Sequence, residues 1–200
     1  MTTDRSEPNR LIKDLSSIPS PIFYIFAAVA VFCGFYVLGF TAKGMITTAF
    51  LVLLVACASA DINKGIVPDL VLIMIAMLGI TNYIVTEMWT SRGAIEHFLG
   101  LFCVSVPMLL VSLIVKGAFG GGDIKLMAAA GLFLGWKLAV SAAILGFFVT
   151  GLYAVFLVVT RKAKGRSKIK LAPFLVYGLA IISLFGERLV NNTLIVAEMC

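Results

Sequence analysis

This 200-residue chain has little of what chemistry usually draws on: one histidine, four cysteines and ten acids. Only 13% of its residues are charged, against 61% hydrophobic, and the mean hydropathy is +1.08. So little charge excludes a soluble domain, because a chain of this size cannot hide that much apolar surface. Lipid is the solvent for most of it. The expected fold is all-α, a polytopic transmembrane helix bundle of six to seven spans. Strand alternation is also lacking, which excludes a transmembrane barrel. The cysteines Cys33, Cys57, Cys103 and Cys200 form no C-x-x-C pair, so neither a zinc site nor a disulfide framework is indicated. Three of them lie in apolar runs, where cysteine acts as a small hydrophobe. His97 is the lone histidine, beside Glu96, and no serine is arranged with it as a triad. A structural role is expected for it. The glycine run at 120–122 lacks the G-K-[ST] ending of a phosphate loop. No metal or cofactor is called for.

The formal charge of +6 raises nucleic acid as a partner. Membrane topology accounts for it better, since basic residues gather in cytoplasmic loops. Apolar segments fall at roughly 22–40, 45–60, 66–86, 95–115, 138–160 and 171–190, with a short one at 124–136. They form one transmembrane domain, 22–190, between an N-terminal tail, 1–21, and a C-terminal tail, 191–200. The first apolar run has no small-residue cleavage site and reads as a retained helix. With the N-terminus inside, twelve basic residues fall on the cytoplasmic side. Only Lys43, Arg92, Lys137 and Arg188 fall outside. The stretch RKAKGRSKIK carries six of the twelve and suits anionic lipid headgroups. Dropping the short segment would move that loop outside, so the charge bias supports seven spans.

This topology puts Asp61, at the end of the second segment, and Asp123, at the start of the short one, at the cytoplasmic edge. Acids there are costly, and an intramembrane acid is a functional candidate by default. Gly120, Gly121 and Gly122 precede Asp123. Glycine adopts backbone angles that other residues resist, so the run is expected to unwind the chain and make room for a peptide beside the acid. The plainer alternative is a flexible loop with Asp123 as a helix cap. Asp61 precedes a turn signal, Asn63-Lys64-Gly65. Pro68 then fits the first turn of the next helix, where its missing N–H costs little. Asp69 suits the positive end of that helix. Lys125 is placed either to tune Asp123 or to meet lipid phosphate. Two carboxylates sharing a site cannot both ionise easily. One can then activate water while the other protonates the carbonyl or leaving amine. Such a pair fails when both members are neutral or both are charged.

Gly120-Gly121-Gly122-Asp123 fits the G-x-G-D signature of membrane aspartic proteases, and GGGDIKLMAAAGLFLGW closely resembles the type IV prepilin peptidases. Asp61, six residues and Pro68 resemble that family's D-x6-P pattern, and KLAPFLVYG its late Pro-Phe element. The resemblance covers roughly 45–180. It implies a catalytic pair, Asp61 and Asp123. Gly120, Gly121, Gly122, Lys125 and Pro68 would be the positioning residues. It implies cleavage of the basic leader of a prepilin-like protein at the cytoplasmic membrane face, after the leader's glycine, before the substrate's hydrophobic helix. Val67 and Asp69 stand where the family commonly has Ile and Asn. Long members carry a cysteine-rich insert between the first two spans and also methylate the new N-terminus from S-adenosylmethionine. This chain has no such insert and resembles the short members, which serve tight-adherence pili, archaeal flagella or similar filaments. Peptidase activity is expected, without methyl transfer.

Three other readings compete. A presenilin-like protease would share G-x-G-D but not the KL extension. A transporter or ion channel would use the acids as a cation or proton site. Inverted repeats would favour it, and the glycine run has no counterpart in the other half. In a pilus-assembly scaffold without catalysis, neither acid would matter. Oligomeric state is not legible.

Overall fold

The computed structural model describes residues 21–87, 91–115, 118–160 and 171–198. Among the described residues the fold is all-α, with no strand. The helices are α1 (Pro21–Leu38), α2 (Ala42–Lys64), α3 (Asp69–Glu87), α4 (Ser91–Cys103), α5 (Ser105–Ile114), α6 (Gly121–Leu134), α7 (Trp136–Val159) and α8 (Ala172–Glu198). The halves α4 and α5 form one apolar span, Gly93–Ile114. Together with α2 and α7, it is long and apolar enough to cross a membrane, while α1, α3 and α8 contribute shorter apolar stretches. The seven expected segments are therefore all present as helix. The last helix runs past the expected end at 190 to Glu198. Residues 1–20, the basic stretch 161–170, Lys116 and Cys200 lie outside the described residues. With them go most of the charges on which the topology reading rests.

The break between α4 and α5 follows from Pro107. A proline lacks the N–H that would bond the carbonyl four residues back, and its ring crowds that carbonyl. That carbonyl belongs to Cys103, where α4 ends. The Ser105 hydroxyl donates back to the Leu101 carbonyl at the same bend.

Lipid is as apolar as a leucine side chain, so helices associate here through close packing and interhelical hydrogen bonds. The outward faces carry large exposed apolar residues, such as Phe32, Ile73, Leu113, Phe148 and Val158. The inner faces are small or closely fitted. Gly100 of α4 and Gly131 of α6 meet backbone to backbone, as do Gly178 of α8 and the Ala142–Gly146 turn of α7. A Cβ at Gly79 of α3 would stand 3.0 Å from the Phe133 backbone nitrogen of α6. Phe50 of α2 stacks on Phe133, with centroids 4.0 Å apart and ring planes 6° from parallel.

These contacts make α6 the axis of the bundle. Its 14 residues span only about 21 Å at the usual helical rise, short of a hydrocarbon core about 30 Å thick. Its last carbonyls therefore end among other helices and need partners there. The Gly135 amide donates to the Gly131 carbonyl (2.9 Å). Asn82 Nδ2 of α3 donates to the Phe133 carbonyl (3.2 Å). His97 Nδ1 of α4 lies 2.7 Å from the Leu132 carbonyl. A carbonyl can only accept, so Nδ1 carries the proton. His97 is buried and packs edge-on against Tyr83. Its expected structural role is what the geometry gives it.

Candidate active site

Asp61 stands in the last turn of α2, buried at 8% exposure. The helix ends because Gly65 takes a left-handed conformation (φ +67°) and donates its N–H to the Asp61 carbonyl at 2.8 Å. Such caps favour glycine, which has no Cβ to clash. The turn signal read at Asn63-Lys64-Gly65 is thus a helix C-cap. Pro68 is buried just before α3, and its carbonyl accepts from the Val71 and Leu72 amides. It sets where α3 begins and does not itself line the cavity described below.

Asp123 stands in the first turn of α6, also at 8% exposure. Its amide donates to the Gly120 carbonyl at 3.1 Å, and its carboxylate turns back to the Gly120 backbone. The expected unwinding at the glycine run is not what the structure contains. Gly120 is an extended N-cap (φ −72°, ψ 141°), and Gly121 and Gly122 are already helical. None has the positive φ that demands glycine. Gly120 and Gly122 are small because of what surrounds them. A Cβ at Gly120 would stand 3.1 Å from Asp123 Oδ2, and one at Gly122 would meet the Val67 side chain at 3.0 Å. A Cβ at Gly121 would meet nothing within 4 Å, because this position faces open space.

That space is a cavity of about 330 Å³, lined by Asp61, Gly65, Ile66, Val67, Asp69, Gly120, Gly121, Gly122, Asp123 and Lys125. It brings together the end of α2, the α2–α3 turn and the start of α6. The two acids stand at one level for a simple reason. Asp61 follows Phe50 by eleven residues and Asp123 precedes Phe133 by ten, about 16 and 15 Å along their axes. The Phe50–Phe133 stack links the two helices below, and they run in opposite directions from it. Both acids line this one space.

Lys125 was expected to tune Asp123 or to meet lipid phosphate. Its Nζ instead donates to Asp69 Oδ1 at 2.7 Å, joining the first turns of α6 and α3 at the cavity rim. Asp69, placed by sequence only as a helix-end charge, is therefore a member of the site. Nothing local in the sequence signals this pair, since its partners are brought together by tertiary packing. Among the described residues, no group of three His, Cys, Asp or Glu side chains is arranged to hold a metal ion. Chemically, the cavity offers two buried carboxylates facing one space, with backbone and a glycine face to lie against.

A family model, the type IV leader peptidase family, matches residues 48–155, a stretch that contains both acids. The chain is also similar to a Bacillus subtilis (strain 168) protein named "Prepilin leader peptidase/N-methyltransferase". The two are 27% identical over 146 residues, covering 71% of this chain and 56% of that protein. The chain thus spans little more than half the length of this curated relative. No solved structure matches the chain.

Proposed function

The chain belongs to the type IV leader peptidase family, and on that premise we propose that it is a membrane aspartic endopeptidase acting on prepilin-like precursors. It cuts the basic leader after its terminal glycine, at the cytoplasmic face of the cell membrane. Asp61 and Asp123 are the catalytic pair. The observation that supports this most directly is their shared cavity: two buried acids, carried by different helices, line one space large enough for a peptide segment.

In the proposed reaction one carboxylate is ionised and the other protonated. The ionised one takes a proton from water as the oxygen attacks the scissile carbonyl carbon. The protonated one gives its proton to the carbonyl oxygen. The tetrahedral intermediate then collapses, the C–N bond breaks, and the leaving nitrogen takes up a proton from the pair. Buried position matters, because a water-poor site strengthens each of these interactions. Gly121 gives the substrate backbone a face without side chains, and the Phe50–Phe133 stack holds the two acids at one level.

The reading assigns leader cleavage to this chain and not methyl transfer. The relative's name includes a methyltransferase activity, and that belongs to the relative. Here α1 and α2 are joined by residues 39–41 alone, which leaves no insert between them. A transporter or channel reading gains no support from any particular contact.

The test is cleavage of a prepilin-type precursor in membranes containing the intact chain, Asp61→Asn or Asp123→Asn. General acid–base groups contribute roughly 10²–10⁴-fold, so each variant is expected to lose about a thousand-fold or more at normal membrane levels. Cleavage retained by either variant sinks the two-aspartate mechanism.

A further inference from the structure

The rim of the cavity carries a charge arrangement that the two-aspartate reaction does not use. Three carboxylates line the space, Asp61, Asp69 and Asp123, against one ammonium, Lys125. Its field therefore favours positive charge. Lys125 neutralises the outermost carboxylate through the 2.7 Å contact with Asp69. Both side chains are well exposed, at 60% and 68%. Ion pairs this open contribute little to stability, because water solvates the separated partners almost as well. A pair that adds so little to the fold is easily exchanged for another.

Asp69 is also well placed for exchange. It opens α3, just after the turn whose residues Gly65, Ile66 and Val67 form one wall of the cavity. A peptide lying between Asp61 and Asp123 would pass that wall. Its cationic side chain could reach the Asp69 carboxylate while Lys125 swings out to water on its flexible stem.

We infer that Asp69 is a specificity-determining residue that receives a lysine or arginine of the leader near the scissile bond, and that Lys125 occupies this acceptor in the substrate-free protein. This rests on the leader-peptidase reading and deepens it. Lys125 is then a competitor for Asp69 as much as its partner. The two residues should act in opposite directions on the choice of substrate. A purely structural staple makes a different prediction: losing either partner loses the same pair, and both variants shift together.

The experiment uses membranes containing the full chain and two probes. One is a fusion of a lysine-bearing leader, ending in glycine, to an apolar helix. The other is the same fusion with the leader lysines changed to glutamine. Exposed charge pairs set the scale, so the intact protein should prefer the basic leader by about five-fold in kcat/KM. Asp69→Asn should bring that ratio to about one, mainly through KM, and Lys125→Gln should raise it above the intact protein's value. Added salt should shrink the preference in the intact protein. The assignment is overturned if Asp69→Asn keeps the preference, or if both variants move the ratio the same way. Because Lys125→Gln leaves Asp69 in place, it tests the sign even if Asp69→Asn accumulates poorly. If the intact chain cuts neither leader, the peptidase reading itself fails and takes this inference with it. If it cuts both and Asp69→Asn discriminates normally, only the role of Asp69 falls.

Discussion

The two ends of α6 treat polar groups in opposite ways. At its C-terminal end, buried carbonyls meet side chains from neighbouring helices: Leu132 with His97, Phe133 with Asn82. None of these four residues lines the cavity beside Asp123. At its N-terminal end, Asp123 faces a space it shares with Asp61, and the charges at the rim are exposed. Polar residues are costly inside a membrane at either end. The packed end uses them to complete a helix that stops short. The open end keeps a volume beside its acids. A buried polar group in a bundle is thus read by what lies next to it, a fixed partner or an unfilled space.

The largest effect should separate the ends most sharply. Asp61→Asn and Asp123→Asn remove charge while keeping shape, so the roughly thousand-fold loss of cleavage should come with no fall in thermal stability in detergent. A large fall would mean that these acids hold the fold together, as His97 does, and the distinction between the ends would collapse.

The next effect lies at the glycine run. A methyl at Gly122 would press on Val67 at 3.0 Å and push the start of α6 away from the α2–α3 turn. Small displacements of reacting groups can cost up to about a hundred-fold. Gly122→Ala is therefore expected to slow cleavage roughly ten- to a hundred-fold, and adding Val67→Gly, which removes both crowding atoms, should recover most of it. Gly121→Ala, facing open space, should not respond to Val67→Gly at all. If the two glycines behaved alike, the run would be serving the backbone and not its surroundings.

That contrast also marks what could be read from sequence. The seven segments were legible because a membrane helix must satisfy its backbone internally and so declares itself as a long apolar run. Even α6, too short by the usual length rule, was recoverable from the charge balance of the loops. The nearness of Asp61 and Asp123 was legible only as a shared level at one edge. Their common cavity forms where packing brings the end of α2, the α2–α3 turn and the start of α6 together, which no local pattern announces. The glycines were noticed for a conformational freedom they do not use, because the atoms that crowd Gly120 and Gly122, the Asp123 carboxylate and Val67, arrive through folding. The Lys125–Asp69 pair was missed for the same reason.

At the packed end the effect should be on stability. His97→Ala leaves the Leu132 carbonyl without its imidazole partner among apolar neighbours. An unmet buried acceptor costs about 1–3 kcal/mol in water-soluble proteins, and interhelical bonds in membranes average about 0.6 kcal/mol. A loss of about 1–2 kcal/mol is expected, read as a lower thermal midpoint. Cleavage per folded molecule should stay within about three-fold, since Leu132 lies nine residues from Asp123, at the other end of α6. Cleavage abolished in a normally folded His97→Ala protein would show that the closed end reaches the chemistry.

The smallest effect belongs to the other exposed ion pair, Lys137–Glu96, at 3.0 Å and about half exposed on both sides. It resembles Lys125–Asp69 in distance and exposure but sits beside the packed end, where no described cavity is lined by either residue. Lys137 also lies over the Trp136 ring, 5.8 Å from its centre, a contact of about 0.5–1 kcal/mol at an exposed site. Lys137→Gln should lower stability by about 1 kcal/mol or less and leave the preference between basic and neutral leaders where it was. This makes it the control for the rim pair. Two ion pairs of similar geometry, one beside a space and one beside a seal, should differ only in what they do to substrate choice. A shift in leader preference from Lys137→Gln would mean that any surface cation tunes selection through the overall field, and that position at the cavity rim confers nothing special on Asp69.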